Sequence, residues 1–142
     1  MVSEIEDLKK KFIVNKKEYE KEKLPSLVEK ALKYCKVDET GLITIENPNL
    51  KNTDKIKIVL IARFLANKLD QKIPSNVNVD ELSASTGISD KNIIYARISE
   101  LIKQKICFKN KNKSYELHPY QASILLDKVD KKYRGEQNVR KR

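Results

Sequence analysis

The sequence predicts a mainly helical fold carrying one small β-hairpin, and three observations predict it. Apolar residues recur at intervals of three and four along most of the 142-residue chain, the spacing that gathers them on one face of a helix. A short helical segment, a glycine turn and a longer helical segment follow one another over residues 80–104. Directly after them, the β-branched and aromatic runs 106–109 and 114–117 flank an Asn/Lys loop of the kind that turns a hairpin.

Taken in order, Ile5, Leu8 and Phe12 form one stripe among charges, a helix over residues 2–13 that is short to stand alone. Leu24, Leu27, Val28, Ala31, Leu32 and Cys35 predict a second helix over 24–36, with Pro25 in its first turn. That helix needs something to pack against. Glu39-Thr40-Gly41 reads as a turn and Leu42–Ile45 as a short strand. Asn47-Pro48-Asn49 breaks the chain, separating a helical N-terminal extension (1–50) from a main domain (51–134). The domain opens with Thr53 as N-cap of a helix running to about Leu69. Its stripe of Ile56, Val59, Leu60, Phe64 and Leu69 is widened by Ile58, Ile61 and Leu65, which implies burial on more than one side. A loop through Pro74 follows, where Val77 and Val79 can supply one residue pair of a small strand.

The stretch VDELSASTGISDKNIIYARISELIKQKICF is the most informative. Asp80 caps a short helix with Leu82 and Ala84 facing inward, and Gly87 ends it, because glycine takes the positive φ of a tight helix exit without cost. Ile88 is the apolar residue of the turn, and Ser89 caps a helix over 90–104 whose inner face is Ile94, Ile98 and Leu101. This order makes a helix-turn-helix. After the hairpin, a last helix starts at Pro119 with Ala122, Leu126, Val129 and Tyr133 on its stripe. Gly135 ends it, leaving residues 135–142 as a solvated, disordered basic tail.

Residues 53 to about 117 resemble the winged helix-turn-helix superfamily, in particular the small winged-helix proteins common in archaea. The resemblance rests on VDELSASTGIS, IIYARISELIKQKI and the hairpin ICFKNKNKSYEL. It covers under half of the chain, and it is more specific for fold than for activity. Many members carry glycine just before the first wing strand, where this chain has Lys105. The resemblance implies a DNA-binding transcriptional regulator in which helix 90–104 reads the major groove with its N-terminal half and the hairpin is the wing. The same superfamily also supplies protein-interaction and RNA- or ribosome-associated modules. Helices flanking such domains often join two chains, so 24–36 and 119–134 are candidates for a homodimer contact.

Charge placement agrees with a polyanionic partner. Residues 1–36 hold ten Lys and Arg against seven acids (+3), residues 37–90 six against eight (−2), and residues 91–142 fourteen against five (+9). Nearly all of the net +10 therefore lies in the last third. With Ile94, Ile98 and Leu101 inward, helix 90–104 presents Asn92, Ala96, Ser99 and Lys103, flanked by Lys91 and Tyr95 on one side and Arg97 on the other. Asn bridges adenine bidentately, and Ser and Tyr reach phosphate or base edges. Ser89, Lys91, Asn92, Tyr95, Arg97, Ser99 and Lys103 are thus candidate contacts, together with wing residues Lys109, Lys111 and Lys113, whose ammonium groups suit phosphate. Asp90 and Glu100 oppose a phosphate backbone on this face. DNA is the expected partner, with RNA as the alternative.

Other functions find little support. The single histidine, His118, sits before Pro119 at a junction between elements, and GxxxxGK[ST], GxSxG and HExxH are all missing. Catalysis and a cofactor are therefore not expected. Cys35 and Cys107 stand alone, without the paired spacing of a zinc site, and read as small buried hydrophobes. The segment MVSEIEDLKKKF lacks the basic-then-apolar order of a secretory signal, and no run of about 18 apolar residues occurs. A cytoplasmic protein with no membrane partner is expected.

Overall fold

The computed structural model describes residues 3–13, 16–47, 49–118 and 120–140. Its elements are α1 (Ser3–Phe12), α2 (Lys16–Ala31), β1 (Cys35–Val37), β2 (Ile43–Ile45), α3 (Asn52–Leu69), α4 (Val79–Thr86), α5 (Lys91–Lys103), β3 (Cys107–Lys109), β4 (Tyr115–Leu117) and α6 (Gln121–Arg140). The fold is mainly helical, with two small antiparallel hairpins, β1–β2 and β3–β4. No helix among the described residues is long and apolar enough to cross a membrane.

The centre of the molecule is α3. From Ile58 to Ala66 every residue is buried, because α2, both hairpins, α4, α5 and α6 all pack around this one helix. A stripe widened by Ile58, Ile61 and Leu65 is what such a position requires. Leu69 departs from the expected stripe and is 63% exposed. The chain turns back after it, and Ile73 is buried in its stead.

The N-terminal half differs from its sequence reading in three ways. α2 begins at Lys16, so Pro25 lies inside the helix and forgoes one backbone hydrogen bond there. The helix stops at Ala31, and Cys35–Val37 pairs with Ile43–Ile45 in register Cys35↔Ile45 and Val37↔Ile43. A strand wins because Ile43–Ile45 offers it a ladder that helix continuation would forfeit. Lastly, the core does not begin at residue 51: Ala31, Tyr34, Cys35, Ile43 and Leu50 belong to the same cluster as α3 and α6. Only α1 stands apart, with Ile5, Leu8 and Phe12 all exposed.

The α6 stripe, a candidate for a contact between chains, is buried within the chain, whereas along the stripe that includes α2 Ala31 and Cys35 are buried, Leu24, Leu27 and Val28 half-buried and Leu32 exposed. The two helices pack on each other and on α3, held at their edges by Lys30–Asp127 at 2.8 Å and by the Tyr34 hydroxyl donating to Asp130. α6 also runs through Gly135 to Arg140. One glycine costs a helix only about 1 kcal/mol relative to alanine, too little to stop one already anchored by Leu125, Leu126 and Val129. The expected tail thus continues as helix to Arg140, and Lys141 and Arg142 lie outside the described residues, as does Pro119.

Two buried charges tie these layers together. Arg63 is 3% exposed. Its Nε donates to the Pro74 carbonyl (2.8 Å), one terminal nitrogen to the Gly41 carbonyl (3.2 Å) and Glu81 (2.5 Å), and the other to the Asn76 carbonyl (2.9 Å). Gly41 makes room for this: at φ 95° a Cβ there would meet Ile73 Cγ2 at 3.2 Å and Arg63 Cζ at 3.4 Å. The second charge, Asp54, lies in the first turn of α3 and accepts from the Tyr133 hydroxyl (2.6 Å) and Lys132 (2.8 Å) of α6. Tyr133 in turn accepts from the Lys51 N–H at 3.1 Å, serving the helix start where Lys51, and not the expected Thr53, occupies the N-cap without a side-chain cap of its own.

Burial raises the Asp54 carboxyl, but hydrogen bonds from Lys132 and Tyr133 and the charges of Lys132 and Lys57 outweigh it, so its pKa falls below the ordinary value. A carboxylate lowered on folding stabilises the protein above its unfolded pKa and loses that contribution as pH falls through the folded one. Urea stability of the native chain is expected to drop below about pH 4, and Asp54→Asn to flatten that acid limb; an unchanged acid limb would contradict the assignment. Arg63→Met is expected to cost about 3–5 kcal/mol in urea unfolding, since it leaves a buried fork of acceptors empty. Arg63→Lys should recover little of this, because one ammonium cannot span four acceptors on separate segments.

Candidate nucleic-acid interface

α4 and α5 are set against each other by a chain of local hydrogen bonds. α4 begins with a capping box: Asn78 Oδ1 accepts from the Glu81 N–H (2.8 Å), and Glu81 Oε1 accepts from the Asn78 N–H (3.3 Å). Asn78 is therefore the N-cap, in place of the expected Asp80, because only its position is three residues before a Glu. Gly87 closes the helix at φ 78°, as its place in the sequence predicts. The turn is then pinned from both sides. The Thr86 hydroxyl donates to the Leu82 carbonyl (2.6 Å) and accepts from the Ile88 N–H (3.2 Å), and the Ser83 hydroxyl donates to the Ile88 carbonyl (2.7 Å). Ile88 is buried, while Ala84, expected inward, is exposed.

Asp90 caps α5 by accepting from the Asn92 N–H at 2.9 Å, displacing Ser89, which is exposed one residue earlier. Ile94, Ile98 and Leu101 are buried as their spacing predicts. The opposite face bears every candidate on this helix: Lys91, Asn92, Tyr95, Ser99 and Lys103 are exposed and Arg97 is partly so. Their charges are unequal. Lys91 pairs with Asp80 at 2.5 Å, which raises its pKa, and Arg97 pairs with Glu100 at 3.2 Å. Asp80 and Glu100 thus neutralise the two cations of the N-terminal half and middle of α5. The spacing pattern also passes over two exposed apolar side chains, Ile93 at 37% and Ile102 at 36%.

The β3–β4 hairpin returns beside this helix. Cys107 pairs with Leu117 and Lys109 with Tyr115, and Val77 adds a single bridge to Tyr115 through two bonds of 2.7 and 2.8 Å. Val77 thus supplies the expected strand residue, and Val79 goes into α4. Burial pushes the Tyr115 phenol up, and neighbouring Tyr95 and Cys107 add to it. In the loop, Asn110 N–H donates to the Ser114 carbonyl (2.8 Å), and Asn112 Oδ1 accepts from the Ser114 hydroxyl (2.5 Å). Asn76 also donates to the Ser114 hydroxyl at 2.8 Å. The asparagines are spent on folding the loop.

Lys109, Lys111 and Lys113 remain, all exposed. With Lys103 and Lys105 they make five lysines that form no ion pair among the described residues. His118 packs against Phe108 with the rings tilted by 50° and their centroids 4.8 Å apart, and both cysteines are free and buried, their thiols pushed up to about 12 (Cys35) and about 11 (Cys107), mainly by burial. These groups serve packing. Among the described residues no group of three or more His, Cys, Asp or Glu could hold a metal ion.

Lys105 joins α5 to the hairpin at φ 60°, a left-handed conformation that costs an L-residue about 1–2 kcal/mol. Lys105→Gly removes that strain but adds unfolded-state entropy of about 0.5–1 kcal/mol. A net gain of about 0.5–1 kcal/mol in urea unfolding is expected. Gly87→Ala should lose about 1 kcal/mol by the same strain, since its Cβ would meet nothing within 4 Å. A destabilised Lys105→Gly would show that the lysine side chain contributes more than its backbone costs.

No protein-family model, curated protein or solved structure matches the chain.

Proposed function

We propose that this chain is a winged-helix nucleic-acid-binding protein whose target is duplex DNA, acting as a transcriptional regulator without catalysing a reaction. The observation that carries the reading is the set of five unpaired lysines on the end of α5 and on the adjoining hairpin, Lys103, Lys105, Lys109, Lys111 and Lys113. In a chain where most buried and half-buried charges have partners, cations left without one beside an exposed helix face suit a phosphate backbone. In this reading the hairpin is the wing and supplies affinity, while Asn92, Tyr95 and Ser99 supply what base recognition there is. The Lys91–Asp80 and Arg97–Glu100 pairs weaken the phosphate grip of α5 itself, which shifts weight to the wing.

A second reading has its own support. Ile93, Tyr95 and Ile102 are 37%, 48% and 36% exposed on α5, with Ala96 also exposed between them. Tyr95 and Ile102, two turns apart on one side of α5, are apolar contacts of the kind a protein or ribonucleoprotein surface uses, whereas Ile93 lies on the opposite flank.

Titrations at several salt concentrations separate the two. Converting Lys109, Lys111 and Lys113 together to Gln is expected to weaken binding to any duplex and flatten the slope of log affinity against log salt by up to about 2.7, at about 0.9 per phosphate contact. On a site selected from random duplexes, Asn92→Ala should cost about 1–3 kcal/mol, and much less on unselected DNA. Glu100→Gln releases Arg97 and should tighten binding to every duplex. If the folded triple variant keeps its slope, and neither α5 change alters DNA affinity, the protein- or RNA-facing reading takes its place.

A further inference from the structure

The loop of the β3–β4 hairpin is tied to the interior through one buried hydroxyl. Ser114 is 5% exposed, and a buried hydroxyl is costly unless it is hydrogen-bonded. Its oxygen has one proton to donate and two lone pairs, and all are engaged. It donates to Asn112 Oδ1 at 2.5 Å and accepts from Asn76 Nδ2 at 2.8 Å and Asn110 Nδ2 at 3.4 Å. Asn110 and Asn112 belong to the loop itself, but Asn76 comes from 38 residues away. The Asn76 carbonyl in turn accepts from Arg63 at 2.9 Å, and the next residue, Val77, exchanges two backbone bonds with Tyr115. A path of hydrogen bonds therefore runs from the central helix through Asn76 to Ser114 and the loop.

We propose that Asn76 and Ser114 are positioning residues for the hairpin lysines: they carry the fixed geometry of Arg63 into the loop, so that Lys111 and Lys113 meet a phosphate backbone already in place. This role rests on the nucleic-acid reading above. Lys111 and Lys113 alternate with Asn110, Asn112 and Ser114, so bonding every second residue into the turn leaves the lysines outward, and both are exposed. The loop needs such a hold. Lys113 sits at φ 64°, a left-handed conformation that an L-residue keeps only where its surroundings impose it. A loose loop would bring the same charge to a duplex but would have to be ordered on binding, and its apparent affinity would fall with the fraction of chains already ordered. Charge and order thus leave different marks. The number of lysines sets how steeply affinity depends on salt, whereas the bonds through Ser114 set how tight binding is at any one salt concentration.

Three variants of the full chain test this: Asn76→Ala, Ser114→Ala and the two together. The first measurement is amide hydrogen exchange without nucleic acid at Asn110, Lys113 and Ser114, whose N–H groups bond within the loop. Asn76→Ala removes one bond and is expected to speed exchange there about fivefold, and Ser114→Ala, which removes three, should speed it further. Amides in the middle of α3 keep native rates. The double variant should match Ser114→Ala, because Asn76 then has no bond to the loop left to lose. The second measurement is binding to random-sequence duplex at several salt concentrations. Ser114→Ala is expected to bind about three- to tenfold more weakly and Asn76→Ala about twofold. Both should keep the native salt slope, since every lysine is still present; the triple lysine variant changes the slope instead. Native exchange at the three amides in both single variants would overturn the proposal, and so would faster exchange with native affinity. If Ser114→Ala loses protection in α3 as well, Asn76→Ala, which alters only a partly exposed side chain, decides on the same two measurements. A native chain that binds no duplex would sink the nucleic-acid reading and this role with it, an outcome recognised because the unaltered chain already fails.

Discussion

Arg63 is the interaction on which the arrangement of the domain depends. It projects from the central helix and makes four hydrogen bonds to three segments: the β1–β2 turn at Gly41, the loop at Pro74 and Asn76, and α4 at Glu81. A buried guanidinium is costly unless its hydrogen bonds are satisfied, so these segments can vary little in position without leaving it unpaired. The same Glu81 closes the capping box of α4. The start of α4 is thereby referred to α3, the turn after α4 holds α5, and α5 leads into the hairpin. The orientation of the candidate surface follows from one buried cation on the far side of α4.

The candidate surface is electrostatically divided. Acids of the domain itself hold Lys91 and Arg97, whereas the lysines at the end of α5 and on the hairpin face solvent without partners. Exposed ion pairs contribute little to stability, so Asp80 and Glu100 matter more for what the helix can attract than for how firmly it folds. The hairpin loop divides its residues in the same way. Asn110, Asn112 and Ser114 are used in the turn, which leaves the lysines between them outward.

Around α3 the remaining helices differ in how completely they are covered. α6 buries its stripe, α2 covers its own only in part, and the Asp54–Tyr133–Lys132 group joins α6 to the start of α3. α1 finds no such cover among the described residues.

What the sequence determined by itself is local. The helical stripes of α3 and α5, the exit at Gly87, the burial of Ile88 and the hairpin strands could all be read from spacing and turn chemistry, because each depends on residues a few positions apart. The capping box of Asn78 and Glu81 was equally legible and was masked by the more prominent Asp80. Likewise, an arginine inside the apolar run 56–66 of a lysine-rich chain was a visible sign of a buried fork. Tertiary structure alone decided the rest. Cys35–Val37 became a strand because Ile43–Ile45 lay ready to pair with it. The extension joined the core because α3 is buried on all sides from Ile58 to Ala66 and needed more than one layer of cover. Which lysines stay unpaired depended on where Asp80 and Glu100 came to lie in space. Periodicity reports which side of an element is apolar, whereas partner choice depends on distances between segments that meet only once the chain has folded.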